Sequence, residues 1–414
     1  MTSPTVPHKH WPTPIRALAH RDFQVYFLGQ AVSTLGKWVQ QVALTWLAYH
    51  LTGSASLLGL LTFLSLAPQL CIGPLAGAWT DKHDKRRLLL IAQAFLAAQS
   101  LFLSVMTWLG GMNSYWLIAM ALVLGVLNAF ETPLRQALIG SFVAEPADLP
   151  NALALNAMLI NAARFIGPPL AGALIAYSGE AVCFLVTACA FSLLLFALMK
   201  VKGVPSARVA GKTGQIFREG LTYMWGTLEV RRLLLGVVVV NLLSSIYAVL
   251  LPVITRQSYQ GDATTLGWLW GAAGAGAFVA SLCLALGGSL PRLARFIVVA
   301  AACCACGLTG LALNMPLGWA MLSLAILGFG ITASNVSSNM LLQSQAPAEL
   351  RGRVVAFYLS MRFGFEAVGG LFAGVVSVFW GAPATIGIAG ALLLGYMLFD
   401  HFYWRARSRP TSTQ

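Results

Sequence analysis

The chain has 414 residues, 58% hydrophobic and only 9% charged, whereas a soluble domain covers its water-facing surface with about 25% charged residues. Its net charge of +13 would suit nucleic acid, but the lysines and arginines lie in short stretches between apolar runs, not along one basic face, so no nucleic-acid partner is expected. All seven cysteines sit inside apolar runs, and Cys303, Cys304 and Cys306 have no histidine beside them, so neither a metal site nor a disulfide framework is expected. No G-x-S-x-G elbow, H-E-x-x-H pair or phosphate-cradling glycine loop is present, which argues against an enzyme.

Residues 1–22 are polar and proline-rich, without the apolar core of a cleaved signal peptide. Apolar runs of membrane-crossing length then follow at 23–51, 54–80, 87–109, 114–142, 150–177 and 181–199. A second set lies at 232–256, 264–288, 293–312, 316–344, 350–379 and 383–404. In lipid each run must satisfy its own backbone hydrogen bonds, which predicts helices. The expected fold is therefore all-α and membrane-integral: twelve transmembrane helices in two pseudo-symmetric six-helix bundles, 23–199 and 232–404. The linker 200–231 is the longest polar stretch and is expected to carry an amphipathic helix on the membrane surface. Residues 405–414 form a polar tail.

Alternate loops collect the positive charge. One side receives Lys9, Arg16, Arg21, the Lys82–Arg87 group, the linker cations, Arg292, Arg295, Arg351, Arg353 and the tail arginines; the other receives only Arg256. This bias predicts cytoplasmic termini in a bacterial inner membrane. The halves share a faint repeat. Pro146, Asp148 and Leu149 match Pro347, Glu349 and Leu350, and Ala171-Gly172 matches Ala373-Gly374, an organisation expected of secondary transporters with a midplane site.

Charges remaining inside the spans are Lys37, Glu131, Arg135, Arg164, Arg362 and Glu366. None is tolerable against lipid, so each must face a cavity or a partner. Glu131 with Arg135 and Arg362 with Glu366 stand at i,i+4 and can form structural pairs. In the first span Gln30, Thr34, Lys37 and Gln41 share one helical face opposite Leu28, Val32 and Leu35. The fourth span carries Asn128, Glu131 and Arg135 at spacings of 3 and 4. The tenth carries Thr332, Asn335, Asn339 and Gln343, which also suit helix–helix hydrogen bonding. Trp38, Trp268 and Trp270 read first as interfacial anchors and second as contacts for an aromatic ligand.

GAWTDKHDKRR (77–87) resembles the GxxxDRxxRR loop signature of the major facilitator superfamily, with Asp84 where many members carry glycine. FLGQAVSTLGKWVQQVALTWLAYHLTGSASLLGL (27–60), FETPLRQALIGSFV (130–143), LNAMLINAARFIGPPLAG (155–172) and ELRGRVVAFY (349–358) resemble its bacterial transmembrane secretion effector branch, which includes the enterobactin exporter. Gly167-Pro168-x-x-Ala171-Gly172 resembles the tail of the glycine-proline antiporter motif, whose earlier glycines are replaced by Ala154 and Ala163. The resemblance implies a monomeric secondary transporter in lipid, without cofactor, that uses the proton gradient to export a small amphipathic molecule such as a siderophore or drug. Glu131 and Glu366 are then the proton-coupling candidates. Gln30, Thr34, Lys37, Gln41, Asn128, Arg135, Arg164, Thr332, Asn335, Asn339 and Arg362 line the substrate cavity. Gly77, Asp81, Lys82, Lys85 and Arg86 form a conformational lock, and Gly167, Pro168 and Gly172 the fifth-helix motif. An importer on the same fold and a non-transporting sensor or scaffold stay open as alternatives.

Overall fold

The computed structural model describes residues 13–73, 83–143, 145–201, 222, 225–286, 290–347 and 350–407. Long helices follow one another along them. The first group is α1 (Arg21–Thr52), α2 (Ala55–Cys71), α3 (Lys85–Trp108), α4 (Ser114–Leu138) and the continuous element Leu149–Lys200. The second is α7 (Leu228–Gln257), α8 (Ala263–Leu286), α9 (Leu290–Ala312), α10 (Leu317–Gln345), α11 (Arg351–Trp380) and α12 (Ala382–Arg407).

Leu149–Lys200 is two helices, α5 (149–178) and α6 (180–200), because Gly179 has φ 78° and ψ 172°. The Cys183 thiol lies 4.0 Å from the Ala171 carbonyl oxygen, although residues twelve apart on a straight helix would stand about 18 Å apart. The chain therefore doubles back at Gly179. Gly381, between α11 and α12, has nearly the same backbone angles, so the internal repeat extends to its turns. Only glycine adopts this region cheaply, and a Cβ on Gly179 would meet nothing within 4 Å. Gly179→Ala should therefore cost about 1–3 kcal/mol through backbone strain alone, read as a lower melting temperature of the purified protein with unchanged helix content.

Nine described helices, counting Leu149–Lys200 once, are long and apolar enough to cross a membrane. The described part of α2 has 17 residues, and α1 is diluted by its glutamines, threonines and Lys37. Helix starts are fixed by side-chain caps. The Ser54 hydroxyl accepts from Leu57 N, Asp84 from Arg86 N and Arg87 N, and Asn113 from Trp116 N. Asp84 is thus the N-cap of α3, which gives a physical reason for its departure from glycine. Asp262 caps α8 by accepting from Thr265 N at 2.9 Å. That bond holds its carboxyl below the ordinary carboxylate value, so the cap's contribution is present at neutral pH and lost as pH falls into the acid range.

Outward-facing positions such as Phe95, Val105, Leu193, Phe196, Leu282 and Leu392 are exposed apolar side chains, as a lipid-covered surface requires. The interior is not uniform along the bundle. One hydrophobic cluster draws on both halves at the Gly179 end, running from Val42, Leu47 and Ile175 through Leu250, Leu266, Leu308 and Leu393. At the end holding the termini the clusters separate. Phe23, Leu89, Leu138 and Leu198 form one within the first half; Leu234, Leu342 and Phe357 form another within the second. The halves are joined at one end and have separate cores at the other.

Two crossings make the join. A Cβ on Gly59 of α2 would stand 2.7 Å from the Gly370 carbonyl oxygen of α11, and one on Gly172 of α5 would stand 2.5 Å from the Ala263 carbonyl oxygen of α8. Small residues let the backbones touch. Gly374 meets Gly59 from the other side of the first crossing, so the repeated pair Ala171-Gly172 and Ala373-Gly374 contributes a glycine to each.

Candidate functional site

The embedded charges of the first half converge. Lys37 Nζ on α1 donates to Asn128 Oδ1 on α4 at 2.7 Å and lies 3.7 Å from Glu131 Oε2. Arg135 Nε is 3.2 Å from Glu131 Oε1. The spacing 128, 131, 135 puts all three on one face of α4, which turns them together toward α1. Glu131 is nearly sealed, its side chain 6% exposed, whereas that of Lys37 is 41% exposed. Two cations against one carboxylate leave one positive charge over, and the open member is the lysine.

The other residues of the first-span stripe divide. Gln30 and Thr34 are buried in the first half, where the glutamine amide donates to the threonine hydroxyl at 3.0 Å and that hydroxyl donates to the Gln30 carbonyl at 2.7 Å. Gln41 is half-buried. A second polar knot escaped the sequence reading: Gln40 donates to Gln99 Oε1 at 2.9 Å, and Ser100 donates to Gln40 Oε1 at 2.6 Å, all buried. Its signal was an amide and a hydroxyl adjacent inside an apolar span.

A second constellation bridges the halves. The Arg164 guanidinium of α5 lies 5.7 Å from the centroid of Trp38 on α1, and its Nη2 reaches the Tyr247 hydroxyl of α7 at 3.5 Å. Trp270 of α8 packs on both Trp38 and Tyr247, with centroids 6.1 and 5.7 Å away. Gly167 makes room for this box, since a Cβ there would stand 2.6 Å from the Trp38 Cβ. Trp38 and Trp270 are therefore interior residues rather than interfacial anchors, while Trp268 is exposed. Tyr247 carried no signal beyond being a hydroxyl within an apolar run.

In the second half, Asn335 exchanges hydrogen bonds with Asn241 at 2.9 and 3.1 Å, and its carbonyl accepts from the Tyr358 hydroxyl at 2.8 Å. It ties α10 to α7 and α11. Gln343 donates to Asn339 at 3.1 Å, and Thr332 is buried with its hydroxyl unpartnered. Among the described residues no ion pair within 4.0 Å joins Arg362 to Glu366. Arg362 instead lies over the Phe363 ring at 4.8 Å, so the i,i+4 pair that the spacing allows there is absent.

Of the loop signature, Gly77, Asp81 and Lys82 lie outside the described residues. Arg86 donates to the Leu198 carbonyl at 2.9–3.0 Å and to the Met199 carbonyl at 2.9 Å, capping the last turn of α6 with a cation; Lys85 begins α3. In the fifth-helix motif the Pro168 carbonyl and Gly172 face Gly267 of α8. Of the linker 200–231, where an amphipathic helix is expected, residues 202–221, 223 and 224 lie outside the described residues, and 228–231 already belong to α7.

Comparison with known proteins bears on the family and the fold. The staphyloferrin A transporter of Staphylococcus aureus is 28% identical over 277 residues, covering 66% of this chain and 67% of that one. The multidrug efflux pump Tap of Mycobacterium tuberculosis is 26% identical over 368 residues, 86% of each chain. A solved bacterial homologue of the human lysosomal transporter Spinster, in an inward-facing and unoccupied conformation, superposes with a TM-score of 0.67 at 14% identity and covers 94% of this chain and 99% of that one. The transmembrane secretion effector profile matches residues 12–408, and the chain belongs to that family of the major facilitator superfamily.

Proposed function

We propose that this chain is a proton-coupled exporter of small amphipathic organic molecules, siderophore-like or drug-like, working by alternating access as a monomer in the bacterial inner membrane. The halves are 23–199 and 232–404, with 1–22, the linker 200–231 and the tail 405–414 in the cytoplasm. The end with separate cores then faces the cytoplasm, and the conformation is inward-open. Relatives named for a staphyloferrin and for multidrug efflux support an organic cargo.

The Lys37–Asn128–Glu131–Arg135 cluster carries this reading. A carboxylate flanked by two cations inside a membrane protein is costly to build and is not needed to hold α1 and α4 apart from lipid. It is suited to exchanging a proton against cargo, because neutralising Glu131 changes the net charge around Lys37. Glu366 of α11, half-buried, is the second carrier candidate. No cofactor is required beyond the gradient.

The test is proton-linked flux. In proteoliposomes loaded with a pH-sensitive dye, a transported drug such as a macrolide should move protons opposite to itself, and collapsing the gradient should stop its accumulation. Accumulation indifferent to the gradient rejects proton coupling. Orientation is checked separately: a cysteine placed in 200–231 should resist an impermeant thiol reagent in intact cells, and labelling from outside rejects cytoplasmic termini.

A further inference from the structure

Arg164 is, with Arg362, one of the two embedded arginines that no carboxylate pairs among the described residues, and it alone of the two sits where the halves meet. Arg135 and Lys37 share Glu131, and Arg232 is held by both oxygens of Asp400 at 3.1 and 2.7 Å. Arg164 has no carboxylate oxygen within 4.0 Å among the described residues. A guanidinium stays charged at any physiological pH, and inside a membrane-spanning helix a charge demands a counter-group. What Arg164 has is the face of Trp38 and a hydroxyl at 3.5 Å, the outer limit of a hydrogen bond.

The unmet need is more specific than a missing charge. Arg164 Nε is buried without an acceptor, and so is Nε1 of Trp270, on the far side of the seam between the halves. Trp270 is 6% exposed. Both orphaned groups are donors, they belong to one aromatic box, and one comes from each half. Arg164 and Trp38 are half-buried, which leaves that side of the box open to an entering group. An entering group with two acceptor oxygens and a negative charge supplies what both donors lack; water would pair the N–H groups and leave the charge uncompensated.

We propose that Arg164 and the Trp270 N–H form the recognition point for a carboxylate on the transported molecule, with its aromatic or apolar body against Trp38 and Tyr247. A carboxylate is the planar two-oxygen partner that a guanidinium fork accepts best, and indole and phenol faces supply apolar contact for a rigid body. This inference rests on the reading of the space between the halves as the transport cavity. It makes Arg164 and Trp270 determinants of specificity, distinct from the Glu131 cluster.

The test uses two probes of equal size, 2-naphthoate and its neutral amide, in equilibrium binding to the full-length protein in nanodiscs. The wild type should prefer the carboxylate by about tenfold or more, as a charge-assisted contact in a shielded site implies. Arg164→Gln should reduce the preference to within about twofold, and Trp270→Phe, which keeps the ring and removes the N–H, should reduce it about three- to tenfold. Amide affinity should change little in either. Arg164→Lys keeps the charge and should retain part of the preference, so a poorly folded glutamine variant does not decide the matter. No carboxylate preference in the wild type overturns the proposal, whether Glu366 supplies the counter-charge or nothing does. Parallel loss of both probes in the variants also overturns it, because a mere seal between the halves predicts that result. Binding is measured without a gradient, so failure of proton coupling leaves this readout intact.

Discussion

Glu131→Gln should lower gradient-driven transport at least tenfold while gradient-independent exchange stays measurable. Glutamine matches glutamate in volume, and at 5% exposure the site has little room for water to replace the lost charge. The substitution removes the titrating oxygen and also strands Lys37 and Arg135, two cations left without their shared anion. Breaking a buried pair in this way typically costs about 3–5 kcal/mol, so membrane yield should fall as well. The double variant Lys37→Met/Glu131→Gln separates the two effects. It leaves Arg135 as the one charge of the trio and so keeps the cluster's net charge of +1, and it should recover much of the yield. It should not recover coupling. Recovery of gradient-driven transport in the double variant would show the cluster to be structural, and well-expressed Glu131→Gln with normal coupling would exclude Glu131 as the carrier.

An equally large loss is expected from Gly172→Val, for a steric reason. The new Cβ alone would lie 2.5 Å from the Ala263 carbonyl oxygen, 3.1 Å from the Thr264 Cα and 3.2 Å from the Gly267 Cα. Those are backbone atoms, which cannot rotate away, so α5 and α8 must separate at the crossing. Transport should fall at least tenfold, and the resting population should shift toward opening at the Gly179 end. A single cysteine reporter on the joined side, added to a variant lacking the native cysteines, should react faster with a thiol reagent. Gly318→Ala serves as the control, because a Cβ there meets nothing within 4 Å and alanine favours the helix. Unchanged reactivity in Gly172→Val would show that the crossing does not govern closure at that end.

What the sequence disclosed follows from the kind of physics each feature obeys. Helices were legible because the bilayer imposes length and apolarity on every span, and even the reversal at Gly179 was marked by a glycine in a short polar gap. The meeting of Lys37 with Glu131 was half legible: a buried lysine needs an anion, but two carboxylates were on offer, and only packing chose α4 over α11. The i,i+4 rule found Glu131–Arg135 and failed for Arg362–Glu366, because helical spacing permits a pair without compelling one when Phe363 offers its ring instead. The box of Trp38, Arg164, Tyr247 and Trp270 was illegible, since its members lie on four helices and only tertiary packing brings them together.

The glycine crossings have a mechanical consequence. Helices that interdigitate through large side chains behave like meshed gears: sliding one past the other lifts ridges out of grooves and gives a stepped path. At Gly59 against Gly370 and Gly374, and at Gly172 against Gly267, the ridges are missing and smooth backbone bears on smooth backbone. Such a contact is a plain bearing. It offers little side-chain resistance to rolling, so resistance to rocking has to come from other contacts across the seam, such as Trp38 against Trp270, the contact that a cargo bound in the proposed box would disturb. A carrier built on plain bearings lets its load, rather than its frame, set the rhythm of the cycle.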